Sequence, residues 1–305
     1  MNHQQFINPY QFVTDTIIRQ LENGVAPWRC PWRRSVGKPR NFHTGREYQG
    51  INIILLNCER FSSPYWMTWK QIKERGGRVT KGEHGSLVVK YGQFNKRVPG
   101  ADGIDEEKPS FYLKGYKVFN ALQIEGIEFP AVPSVAAESP SDRIARAEEI
   151  VKAMPQPPSI REGRHERAFY RKSTDSVEVP ERGSFPILED FYLTLFHELV
   201  HSTGHATRLN RKSLVENDGF GGKVYSEEEL IAEMGAAFLG TEADIVRDEH
   251  EQSASYLKGW LDVLKDKDHK RWIVQAAGQA TKAADFIMDR LRAVQELPDA
   301  ESKGA

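Results

Sequence analysis

His197 and His201, four residues apart in HELVHSTGH (197–205) with Glu198 beside the first, are the residues best able to do chemistry. At 3.6 residues per turn, positions i and i+4 share one face of a helix, so both imidazoles address one point. Glu198 is turned about 100° from His197, near enough to reach a water on a bound ion without being a ligand. That is the HExxH arrangement of zinc peptidases. Chance would supply such a match in about one of forty chains of this composition, and the competing reading is a helix face carrying two hydrogen-bonded histidines. Context decides between them. Residues 187–200 (ILEDFYLTLFHELV) are strongly apolar, so the helix should be buried. Burying two imidazoles and a carboxylate without partners would cost several kcal/mol, a cost that a metal removes.

Two histidines leave a third ligand to find. In the pattern HExxHxxGxxH, Gly204 fits, but the last position is Thr207 and His205 falls two residues short. The acidic stretch YSEEELIAEMGAAFLG (225–240), 28 residues beyond His201 counted to Glu229, offers carboxylates instead. Glu229 and Glu233 share a helix face with Ala232, Ala236 and Gly240, small residues that let another helix come close. Glu229 is the expected ligand, the competing reading being a capping box with Ser226. Glu233, one turn on, is the expected partner of a ligand histidine, and the reverse assignment stays open. Zinc is the expected ion, with manganese or another divalent cation as alternatives. Glu198 would be the general base for a metal-activated water. His205, Tyr225 or Tyr256 could steady an oxyanion, and the alternating run STDSVEV (173–179) could pair with an extended peptide, its default reading being a purely structural strand.

The front of the chain has a different chemistry. Residues 1–134 hold 19 Lys+Arg against 12 Asp+Glu, a balance of +7, and the remainder holds 23 against 31, a balance of −8. Rings and cations interleave in APWRCPWRR, KPRNFHTGREYQG, PYWMTWKQIKER and VVKYGQFNKR. Aromatic faces stack on unpaired bases while Lys and Arg follow phosphates, so this half should bind single-stranded nucleic acid. The candidates are Trp28, Arg29, Trp32, Arg33, Arg34, Arg40, Arg46, Trp66, Trp69, Lys70, Lys73, Arg78 and Lys81. Some of these aromatics must also build a core for about 130 residues.

The elements that hold these groups are legible in outline. Helices are expected near 9–23, 50–60, 68–75, 141–154 (Ser141 as N-cap), 187–203, 226–240, 252–266 and 269–294. Strands are expected at SLVVKYG, FYLKGYKVFN, the QIEGIEFP region, and as a strand or hairpin over 168–180. The Pro/Ala/Ser-rich stretch 130–142 reads as a linker between domains 1–129 and 143–305. The class expected is α+β, with a mixed N-terminal domain and a helix-rich C-terminal one. Two cysteines, Cys30 and Cys58, without a CxxC, argue against a disulfide framework. No apolar run is long enough to span a bilayer, and the N-terminus lacks a signal pattern, so the cytoplasm is the expected location.

NFHTGREYQGIN, YWMTWKQIKERGGRVTKGEHG and YKVFNALQIEG resemble the N-terminal single-stranded-DNA-binding domain of the ArdC antirestriction family. HELVHSTGHATRLNR and YSEEELIAEMGAAFLG resemble the zincin-like metallopeptidase domain of that family. The resemblance implies a protein that protects incoming conjugative plasmid DNA from host restriction. It implies metal at His197, His201 and Glu229 and single-stranded DNA as partner; it names no peptide substrate, for which a host restriction–modification protein is the candidate to consider. The alternative is a non-enzymatic protein that coats single strands and keeps a structural or vestigial metal site.

Overall fold

Asn8 accepts a hydrogen bond from the Tyr10 N–H and Pro9 supplies a φ suited to a first turn, so the chain enters as helix α1 (Pro9–Glu22). Val13, Ile17 and Leu21 form its buried stripe. The computed structural model describes residues 8–29, 37–99, 105–132, 139–215, 223–245, 254–265 and 271–289. Strand β1 (Arg40–Asn41) is followed by the apolar helix α2 (Ile51–Asn57) and strand β2 (Tyr65–Thr68). Thr68 and Gln71 then close a capping box on α3 (Trp69–Glu74). After β3 (Arg78–Val79), the long strands β4 (Ser86–Pro99) and β5 (Asp105–Asn120) pair antiparallel along their whole length. The QIEGIEFP region contributes only the two-residue β6 (Ile124–Glu125), paired with β3. The main sheet has the order β1-β2-β5-β4. Helix α2 contacts β4, and the Asn52 amide bonds both the N–H and the C=O of Val89 at 2.8 Å, as a neighbouring strand would.

In the second half, Ser139 rather than Ser141 caps α4 (Pro140–Ala153), with Asp142 completing the box, so the expected linker is shortened by the helix. An unforeseen strand, β7 (Ser159–Gly163), precedes β8 (Phe169–Arg171) and β9 (Ser176–Pro180). Their order is β7-β9-β8. The run 173–179, by default a structural strand and in the alternative a peptide-pairing edge, feeds the central strand, whose backbone groups face partners on both sides; the edge nearest in sequence is β8. Helices α5 (Leu188–Thr203), α6 (Lys212–Val215), α7 (Lys223–Glu242), α8 (Ala254–Leu264) and α9 (Trp272–Ile287) complete the α+β fold.

The largest apolar cluster ignores the boundary near residue 130. It joins α1 and α2 to α5, α7 and α9 through Ile17, Ile54, Leu199, Leu230 and Ala277, among others. Alanines on α9 (Ala276, Ala277, Ala280, Ala283, Ala284) keep its surface low where other helices press against it. The Gly50 N–H donates to Thr281 Oγ1 at 3.1 Å, tying the entry of α2 to α9.

Candidate metal centre and nucleic-acid interface

Helices α5 and α7 meet closely because Gly235 has no side chain: a Cβ there would lie 2.7 Å from Val200 Cγ2. The contact brings Glu229 over the two histidines. His197 Nε2 and His201 Nε2 are 3.1 Å apart, and Glu229 places one carboxylate oxygen 3.4 Å from each ring. One ligand atom from each of the three residues falls within 4.8 Å of the others. Two imidazole nitrogens and one carboxylate oxygen facing a common point are a donor set that fits a divalent ion and leaves room for a water. Glu229 lies six residues into α7, with Ser226 inside the helix, so the capping reading of Glu229 falls.

The carboxylate partner of His201 Nδ1 is Glu228, not Glu233. Glu228 Oε1 stands 3.3 Å from His201 Nδ1, and both side chains are buried. Arg211 grips the same carboxylate through Nε (3.1 Å to Oε2) and Nη2, and Ser213 Oγ donates to it. Arg211 in turn donates to Thr203 Oγ1 and the Val200 carbonyl at the end of α5. Gly204 follows α5 with right-handed torsions, φ −73 and ψ −7, so a left-handed cap is not why it is glycine. A Cβ there would press on Arg211 Nη2 at 2.9 Å, so the missing side chain makes room for the guanidinium. Glu233 instead accepts from the Tyr256 hydroxyl at 3.1 Å, one helical turn away from the histidines. Adjacent glutamates in SEEEL sit on adjoining helix faces, which was the available signal for Glu228. Arg211, in a loop, offered none.

Electrostatics follow from this packing. Burial raises the carboxyl of Glu228, but His201 and Arg211 outweigh it and hold the group down at about 2. Burial likewise raises Glu229, and the two histidines drive it well below the usual carboxylate range. Burial lowers His201, whereas Glu228, Glu229 and Glu198 together push it up to about 10. Imidazoles bind metals in their neutral form, so an ion held here would compete with protons.

A cleft of about 440 Å³ opens onto these groups and is lined by Glu198, Arg167, Phe169 and Tyr170 as well. Tyr170 donates to Asp175 at 2.8 Å, and Asp175 is held by Arg208 at 2.7 and 2.9 Å. Two of the oxyanion candidates are misplaced. His205 bonds Thr207, and Tyr256 is turned to Trp28 and Glu233; neither lines the cleft. The side chain of Tyr225 lies outside the described residues.

In the front half, two expected base-stacking rings are core. Trp28 is 1% exposed, packed edge-on to Trp260 and bonded to Tyr256; Trp66 is 2% exposed against Phe61. Their rings fill the interior that a sheet with helices requires, and no base can reach them. Trp69 is 53% exposed, with the Lys73 ammonium 3.9 Å from its ring centre. Lys70 is exposed beside Glu74, Arg78 pairs with Glu125, and Lys81 is exposed. Arg40 is engaged by Glu47 at 3.1 Å, and Arg46 lines a groove of about 690 Å³. Trp32, Arg33, Arg34 and the side chain of Arg29 lie outside the described residues.

The HExxH helix, the crossing carboxylate helix and the small flanking sheet together define a zincin-like protein. Residues 145–279 match the family described as zincin-like metallopeptidase, and residues 8–119 match the N-terminal domain of anti-restriction factor ArdC. The metal-free crystal structure of the antirestriction ArdC protein from plasmid R388 is similar over 94% of this chain and 99% of that one, with 36% identity and a TM-score of 0.70. Its Mn(II)-bound structure is similar over 93% and 98%, with a TM-score of 0.68. The chain belongs to the ArdC antirestriction family. A DNA primase TraC of Escherichia coli is 36% identical over 299 residues, and the chain spans only 27% of that relative's length. An uncharacterized protein of Sinorhizobium fredii, y4eC, is 30% identical over 91% of both chains.

Proposed function

We propose that this protein binds single-stranded DNA with its N-terminal half and carries a divalent-metal-dependent peptidase site in its C-terminal half, protecting conjugatively transferred DNA from host restriction. The observation that carries the peptidase reading is the convergence of His197, His201 and Glu229 within 4.8 Å. Glu198 lines the cleft they share. When bound, a zinc ion, or manganese as in the R388 relative, supplies an acidified water and polarises a peptide carbonyl. Glu198 accepts the water's proton and returns it to the leaving amine. Glu228 keeps His201 oriented through Nδ1, leaving Nε2 for the site. An extended peptide would run along β8, and Arg167 would meet the negative charge that develops on its carbonyl oxygen. A host restriction–modification protein is the substrate that the antirestriction reading suggests. The DNA reading is supported by the exposed Trp69 with Lys70 and Lys73, and by Arg46 in its groove.

The deciding variant is Glu198→Ala, expected to keep metal and DNA binding and to lose proteolysis. Cleavage at the wild-type rate by that variant would end the peptidase mechanism. A second reading, a protein that only coats single strands, draws support from the primase-named relatives, in which this sequence is a fraction of a longer chain. Plasmid transfer into a restricting host separates the two. Full protection by both Glu198→Ala and Glu229→Ala would favour coating alone.

A further inference from the structure

We propose that single-stranded DNA lies on the face of the β4–β5 pair that carries Tyr112, Lys114 and Tyr116, and that a base enters the adjoining groove of about 690 Å³. The inference rests on the single-stranded-DNA reading above. In a strand, alternate residues share a face, so Tyr112, Lys114 and Tyr116 point the same way. Directly opposite them on β4 stand Gly92, Lys90 and Val88. Tyr112 is 42% exposed and Tyr116 37%, whereas Leu113, on the other face, packs against the core. The rings are therefore not there to fill the interior. They stand about 13 Å apart along β5, far enough to meet different bases.

The cations point to an anion. Lys90 and Lys114 face each other across the pair, an arrangement that costs stability unless a counter-charge is supplied. Neither lysine has a carboxylate partner among the described ion pairs. Lys114 Nζ rests 5.4 Å from the centre of the Tyr116 ring, a cation that a base could displace toward a phosphate. Gly92 lets the Tyr112 ring lie across β4, because a Cβ there would come within 2.3 Å of Cζ.

Lys90 and Tyr116 also form part of the groove wall, with Arg46 and Lys282 as further cations. Its two carboxylates are Glu47, which is tied to Arg40, and Asp285. Val88 and Val118 make part of the wall apolar, which suits a base rather than a phosphate. Thr68, also in the wall, directly precedes Trp69, the exposed ring proposed above to meet DNA.

Binding of a fluorescent oligothymidylate to the full chain tests the placement. Tyr112→Ala and Tyr116→Ala should each weaken binding on the order of 5- to 100-fold, and Tyr116→Phe should not. Gly92→Ala should also weaken it, although every ring is retained. The double variant Lys90→Gln/Lys114→Gln should flatten the slope of log affinity against log salt by about 1.4. Thermal unfolding checks that each variant is folded, and photocrosslinking to a bromodeoxyuridine-substituted strand should label residues 105–120 of the wild type. Folded variants that bind like wild type, or crosslinks confined to other segments, would overturn the placement while leaving DNA binding intact. Equal affinity for duplex of the same sequence would overturn base stacking as the mode. A wild-type protein that binds no single strand would remove the DNA reading and this inference with it.

Discussion

Glu228 and Glu229 are neighbours in sequence with different surroundings, one beside His201 Nδ1 and the other grouped with His197 and His201 where an ion would sit. Glu228→Gln keeps the shape but loses the charge that opposes Arg211 and polarises His201. Metal affinity should fall about 10- to 100-fold, measured by competition with a chromogenic chelator. Glu229→Gln should fall further, because a direct ligand is lost. Arg211→Ala should lower the melting temperature of the metal-free protein, since breaking a buried pair costs about 3–5 kcal/mol. If Arg211→Ala melts like wild type, the buried array does not support α5. Glu229 was legible because its helix face is otherwise small. Glu228 was not read as the histidine's partner, because a distance of 3.3 Å to Nδ1 depends on how two helices cross.

At the scale of elements, the crossing of α5 and α7 sets the site. Gly235→Ala must push Val200 aside, costing about 1–3 kcal/mol and opening the space between His197 and Glu229. Denaturant unfolding and metal titration should both report it. The β8–β9 turn is anchored differently, through Asp175 and Arg208. Burial raises the Asp175 carboxyl, but the bonds from Arg208 and Tyr170 outweigh it and hold it below its ordinary value. Its contribution is therefore complete above the unfolded value near 4 and is lost as pH falls through the lower folded value. Asp175→Asn suits the backbone, since Asn also tolerates the positive φ of 46 found there. The variant should melt below wild type at neutral pH, with the gap closing in acid. A gap that is constant with pH would show that the carboxylate charge is not what anchors the turn.

For the whole molecule, the two family-matched segments share one apolar interior. Ile17 is fully buried on α1 within that interior. Ile17→Ala should cost about 2–5 kcal/mol and lower the melting of the metal-binding half together with the front. A single cooperative transition, the same by circular dichroism and tryptophan fluorescence, is expected. Two separate transitions, with only the first shifted by Ile17→Ala, would mean that the halves unfold independently.

The HExxH histidines, Glu198, the carboxylate helix and the basic, aromatic front were readable from the chain because each depends on local period or composition. An i, i+4 pair shares a helix face wherever the helix is placed. Tertiary structure decided which tryptophans remain outside, which glutamate meets His201, and that β9 is a central strand with β8 at the edge. Those outcomes depend on contacts between residues far apart in sequence, where the same indole or carboxylate can be core, ligand or surface according to what packs against it.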